Sequence, residues 1–190
     1  MATQYPSLEP KHVAFIERQK IFFTATAAPT GRVNISPRGA DAFRVLGANS
    51  VCYLDLIGSG NETAAHVRAN GRMTIMLCAF EKAPLIMRLY GQGHIELAGS
   101  ERYEALLDSH FDGKAPHNAR QIVRLEIDMV QTSCGFGVPF FDYVGERNAL
   151  EKWAAKKSDA ELVEYRRQYN QVSIDGFPSG MFETSDLPSQ

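Results

Sequence analysis

Between residues 21 and 131 the chain strings together six short runs rich in β-branched and aromatic residues, with only short helical stretches between them. The runs cover residues 21–27, 32–36, 43–57 (broken at Gly47-Ala48-Asn49), 72–80, 85–97 and 121–131. Parallel strands need a crossover of a dozen or more residues, usually a helix, after nearly every strand. Pro29-Thr30-Gly31 and Pro37-Arg38-Gly39 are tight turns and cannot supply one. The strands are therefore expected to run antiparallel. The fold class is mainly β (α+β): a six-stranded antiparallel split β-barrel with short flanking helices and a C-terminal helical extension.

Periodicity predicts helices over 10–18, 64–70, 100–111, 148–157 and 159–168, with Ser100, Asn148 and Ser158 or Asp159 as caps. The chain reads as a single domain over 1–190. Its core spans about 10–133, a loop and helices fill 134–172, and an irregular tail occupies 173–190. Residues 134–141 hold Phe136, Phe140 and Phe141 among Gly and Pro. Exposed aromatics are costly, so this loop is expected to cover either the barrel core or a ligand.

A formal net charge of -2 without any Lys/Arg run argues against a nucleic-acid or membrane partner and leaves a small molecule. Cys52, Cys78 and Cys134 are widely spaced, which suits reduced thiols in the cytoplasm. The five histidines show no metal-ligand spacing, and His66 reads as a surface residue. Cys134 has no identifiable partner base and reads as a structural thiol, so no catalytic side chain is assigned.

The stretch from Val51 to Met73 carries the most chemistry. A strand ends at Gly58-Ser59-Gly60-Asn61-Glu62-Thr63, and a helix follows. The two glycines allow positive φ, Ser59 or Asn61 can cap the helix, and the free amides of its first turn favour an anion. The same residues also suit an ordinary capped loop, and they match neither a Walker loop nor a dinucleotide fingerprint. In the second strand, Val33 and Ile35 share one face while Arg32, Asn34 and Ser36 share the other, where they could meet a ligand. Asp55 lies in an apolar run and is expected to meet an arginine or backbone donors.

Taken in order, Arg32-Val33-Asn34-Ile35-Ser36-Pro37-Arg38-Gly39, Tyr53-Leu54-Asp55, the glycine turn, Asn70-Gly71-Arg72-Met73 and Arg88-Leu89-Tyr90-Gly91 resemble the flavin-binding split barrels of the pyridoxamine 5'-phosphate oxidase type. The resemblance implies a homodimer with FMN in clefts between the subunits. The cofactor-binding residues it implies are Val33, Asn34, Ser36, Arg38, Tyr53, Asp55, Ser59, Gly60, Asn61, Thr63 and Arg88. Glu62 and Thr63 stand where the vitamin-making oxidases usually offer Arg and Lys to the phosphate, so Arg38 and Arg88 are the expected counter-charges. The activity implied is an FMN-dependent oxidoreductase acting on an unidentified small molecule. A deazaflavin in the same cleft, or a flavin- or haem-binding module without turnover, are the alternatives.

Overall fold

The computed structural model describes residues 2–182. Eight strands form one antiparallel sheet: β1 (Thr3–Tyr5), β2 (Ile21–Ala27), β3 (Val33–Gly39), β4 (Phe43–Gly47), β5 (Ser50–Leu56), β6 (Arg72–Cys78), β7 (Ile86–Leu97) and β8 (Ala119–Ser133). Seven of them follow the order β3-β2-β6-β7-β8-β5-β4, and β1 joins β8. The count exceeds the expected six for two reasons. Gly47-Ala48-Asn49 reverses the chain, so residues 43–57 make a hairpin with a bulge between Val45 and Gly47. Thr3–Tyr5 then adds a strand through pairing with Val130–Thr132.

The long β8 is the spine. One edge pairs with β7 along most of its length, while the other takes β5 at Ala119 to Glu126 and β1 farther on. A bulge between Tyr90 and Gly91 bends β7 where Gly91 lies against the Glu126 carbonyl, a contact that leaves no room for a Cβ.

Among the described residues five α-helices flank the sheet: α1 (Pro10–Ile16), α2 (Glu62–Asn70), α3 (Glu101–His110), α4 (Ala149–Ala154) and α5 (Asp159–Tyr169). The Ser100 hydroxyl accepts from the Tyr103 amide at 3.2 Å to start α3. Tyr103, Leu106 and Leu107 then face a cluster with Cys52, Leu54 and Ile122. The larger core holds Phe22, Tyr53, Ile75, Leu77, Met87, Leu89 and Leu125, which contribute roughly 1.5–3 kcal/mol each on burial. In α2 the consecutive residues Thr63, Ala64, Ala65, His66 and Val67 are all buried, so the first part of this helix is enclosed on every side, while Arg68 and Ala69 near its end are exposed. His66, expected at the surface, is 1% exposed.

The sheet's other face has no layer over it among the described residues. β3 is an edge strand, and its Val33 and Ile35 are 69% and 66% exposed. The cross-strand register puts Phe23, Ala25, Thr74, Met76, Arg88, Tyr90 and Met129, all half-buried, on the same face. The loop after β8 does not cover the barrel core, one of its two expected roles; a ligand is the other. Phe136, Phe140 and Phe141 are exposed, although Phe141 meets Phe80 edge-on at 5.4 Å. Cys134 is exposed beside it, whereas Cys52 and Cys78 are buried, and burial pushes the Cys52 thiol up to about 12.

After α5, residues 171–179 form a small hairpin closed by a bridge between Val172 and Pro178. The first part of the expected irregular tail is thus ordered, and residues 183–190 lie outside the described residues. No helix among the described residues is long and apolar enough to cross a membrane.

Candidate functional site

Asp55 on β5 is fully buried, and the site is built around its charge. Arg38 from β3 donates to one carboxylate oxygen. Arg120 Nε and Gln121 Nε2, both from the start of β8, donate to the other at 2.8 Å each. Burial alone would raise the Asp55 pKa, but Arg38 and Arg120 outweigh it and hold the carboxyl below its ordinary range. The Arg38 guanidinium also lies 4.8 Å from the centre of the Tyr53 ring. Burial pushes the Tyr53 phenol up to about 12, against the opposing pull of Arg38.

The network continues into the glycine turn. Gln121 Nε2 donates to Asn61 Oδ1 at 2.9 Å. Arg120 Nη1 donates to the Gly60 carbonyl at 2.8 Å and to Asn170 Oδ1 at 2.9 Å. Asn170, the residue that ends α5, returns a bond from Nδ2 to the Gly58 carbonyl at 3.0 Å. Three expectations about this turn are therefore corrected. Neither Gly58 nor Gly60 takes a positive φ. Asn61 occupies the cap position of α2, but neither its side chain nor that of Ser59 caps the helix, because Asn61 is engaged by Gln121. The turn directs carbonyl oxygens inward to a cation and an amide, the opposite polarity to an anion cradle.

The polar face of β3 turns inward and the apolar one outward, since only the inner face meets α2 and β5. Along it, the Asn34 amide donates to Thr63 Oγ1 at 3.4 Å and Ser36 Oγ to Asn34 Oδ1 at 3.4 Å, with Arg38 next in the row. Beyond Arg38 the row opens into a cavity of about 1060 Å³. Its walls include Lys20 and Ile21 at the start of β2, Phe80 and Lys82 in the β6–β7 loop, and Phe141 and Glu146 after β8. Tyr143 donates to Glu146 at 2.6 Å and lies under Lys20, 5.5 Å from its ring centre.

Arg38 and Arg88, expected to act together, lie on opposite faces of the sheet. Met87 and Leu89 enter the core, so Arg88 projects outward, where it donates to Ser133 Oγ at 3.3 Å. Val33 likewise lies on the outer face.

The donors along β3 suit the neutral, hydrogen-bonding parts of a flavin. The first turn of α2, as it stands, does not fit a phosphate. Both Glu62 oxygens accept from the Ile174 amide at 3.1 Å, and Asp175 pairs with Arg32 through its backbone N–H at 2.6 Å and its guanidinium.

Arg120, Gln121, Asn170 and Asp175 belong to the site and were missed in the sequence, whereas Arg32 was read there as one of the polar residues of its strand. Arg120-Gln121, a polar pair opening an apolar strand, was the readable signal. Asn170 lies 50 residues from Arg120 and 112 from Gly58, and Asp175 lies 143 from Arg32, so neither offered one. Among the described residues, no cluster of His, Cys, Asp and Glu could hold a metal ion.

The family model described as pyridoxamine 5'-phosphate oxidase matches residues 8–134. The pyridoxamine 5'-phosphate oxidase family protein ustO of Aspergillus flavus is 37% identical over 190 residues, covering 92% of this chain and 76% of that protein. Among solved structures, HupZ from Group A Streptococcus aligns with a TM-score of 0.52 at 19% identity, over 64% of this chain and 91% of that one. A candidate pyridoxamine 5'-phosphate oxidase from Lactobacillus delbrueckii aligns with a TM-score of 0.52 at 16% identity, over 66% of this chain and 94% of that one. These two likenesses establish the split-barrel fold. With its barrel matched by the model and nearly its whole length by a relative, the chain belongs to the pyridoxamine 5'-phosphate oxidase family.

Proposed function

We propose that this chain is an FMN-dependent oxidoreductase acting on a small organic molecule, and that it works as a homodimer. The observation that carries the reading is the polar row Asn34, Ser36 and Arg38, which leads from Thr63 on α2 to the open cavity. Asn34 and Ser36 offer hydrogen bonds to a polyol or ring edge, and Arg38, with Asp55 behind it, adds a fixed guanidinium at the cavity mouth. Bound flavin would supply transfer of a hydride or electron pair, and the chain's part is to orient it and admit the substrate.

The uncovered outer face supports the dimer. Two exposed β-branched residues on an edge strand, continuous with half-buried Phe23, Met76, Tyr90 and Met129, form an apolar patch of the kind that marks an interface. Arg88 lies on that face, so it reaches the cofactor only across the contact with a second copy. A reducing cytoplasmic setting suits the three free cysteines.

The test is the visible absorption spectrum of the purified protein before and after FMN is added, with the released ligand weighed. Bands of oxidised flavin that survive desalting are expected. A colourless protein that ignores FMN overturns the reading, and a deazaflavin mass replaces the cofactor. A Soret band moves the function to a haem-binding module, for whose axial ligand the cavity wall holds no histidine and offers Tyr143. Replacing Thr63 and Arg88 together by Ala is expected to weaken FMN by more than about tenfold, about 1.4 kcal/mol.

A further inference from the structure

The hairpin at 171–179 lies outside the stretch matched by the family model, yet it reaches the polar end of the candidate site at Arg32 and the start of α2. Its base is fixed: Ser179 Oγ donates to the Asn170 carbonyl at 2.6 Å, and the Ser179 amide to the Gln171 carbonyl at 2.8 Å. Its tip meets two separate elements through consecutive residues. Ile174 donates to Glu62 at the start of α2, and Asp175 accepts from the Arg32 backbone and side chain ahead of β3. Successive Cα atoms are about 3.8 Å apart, so the Arg32 donors and the first turn of α2 lie side by side.

A backbone N–H and a guanidinium converging on one carboxylate make an anion site already filled from within the chain. The Arg32 amide and guanidinium hold the Asp175 carboxyl below its ordinary range. Gly31, at a φ of +88°, packs so closely on Asp175 that a Cβ there would collide with it. His66 is a second sign of a ligand position. It is 1% exposed and meets Thr26 through Nδ1 at 3.2 Å, but its Nε2 has no partner among the described residues. Its ring meets Phe177 of the same hairpin edge-on at 6.5 Å.

The attachment is of a kind that exchanges. The Arg32 side chain is 70% exposed, and ion pairs open to water are weak and screened by salt. The tip itself leaves Ile174 72% exposed. We propose that the hairpin is an exchangeable plug: Asp175 occupies the Arg32 anion site until the phosphate of a flavin mononucleotide displaces it, which also frees the first turn of α2 from Ile174. The plug rests on the flavin reading for its natural ligand but not for its test.

The experiment follows hydrogen exchange at the Ile174, Phe177 and Ser179 amides of the whole chain in inorganic phosphate and in chloride of equal ionic strength. It is paired with titrations of FMN and of riboflavin, which lacks the phosphate. Phosphate is expected to speed exchange at Ile174 and Phe177 about fivefold over chloride, the size a partly exposed ion pair carries. Asp175→Asn is expected to exchange that fast in either salt and to bind FMN about fivefold more tightly, with riboflavin unchanged. Ile174→Pro, which removes the donor to Glu62, is expected to shift FMN in the same direction. Equal exchange in the two salts, or an Asp175→Asn variant that binds FMN more weakly, overturns the plug. If neither flavin binds any variant while phosphate still speeds exchange, the flavin reading fails and the plug stands.

Discussion

Two parts of this molecule reverse the usual placement of charge and oil. Around Asp55 a charged knot of Arg38, Arg120, Gln121, Asn61 and Asn170 is tied within the chain, with only Arg38 reaching the cavity and keeping an unpaired Nε. On the outer face of the sheet, Val33, Ile35 and their neighbours are apolar and uncovered. Burying charge is tolerable only with fixed partners, and exposing an apolar patch only with something to cover it. The knot is therefore held within one chain, and the face suits the second copy proposed above.

The contrast can be broken from either side. The largest effect is expected from Arg120→Ala, which leaves Asp55 buried with part of its compensation gone and should cost about 3–5 kcal/mol in denaturant unfolding. A loss under about 1 kcal/mol would mean that Arg38 alone suffices. Replacing Arg38, Asp55 and Arg120 together by apolar residues should cost clearly less than removing Asp55 or Arg120 alone. On the outer face, Val33→Asp with Ile35→Asp should give a monomer by sedimentation with an unchanged far-ultraviolet spectrum. A dimer that survives would place the contact elsewhere.

The pH dependence sharpens the same comparison. Because the folded Asp55 pKa is depressed from its ordinary 3.8, its contribution is full above that value and lost as pH falls through the lower folded one. Acid unfolding should therefore steepen below about pH 4, and Asp55→Asn should flatten that limb; an unchanged slope would assign acid lability to other carboxylates. The smallest effect is expected from Asn170→Ala, about 1–2 kcal/mol for its bonds to Arg120 and the Gly58 carbonyl. Unfolding curves matching the parent would remove the C-terminal segment from the knot.

Much of the barrel was legible because strand alternation is a local signal. Ile122, Val123, Leu125 and Ile127 announce β8, and Ser100 announces α3. The hairpin at Gly47-Ala48-Asn49 was readable only as a break, since nothing local tells an interruption from a reversal. Asp55 declared its need for an arginine, but Arg120 could be named as the second partner only from the Asp55–Gln121 register. The inversion of β3 shows the limit most clearly. Alternation tells which residues share a face, and tertiary packing decides which face is inside.

The spine strand also orders events during synthesis. Thr3 pairs with Thr132, so β1, made ahead of the other described strands, is among the last to find its place. At roughly 5–20 residues per second, the N-terminal segment waits on the order of ten seconds for its partner to emerge from the ribosome. Such long-range antiparallel pairing belongs to the slow end of folding rates. An extension fused ahead of Thr3 would compete with that closure, while the paired edges of β7 and β8 could already have formed.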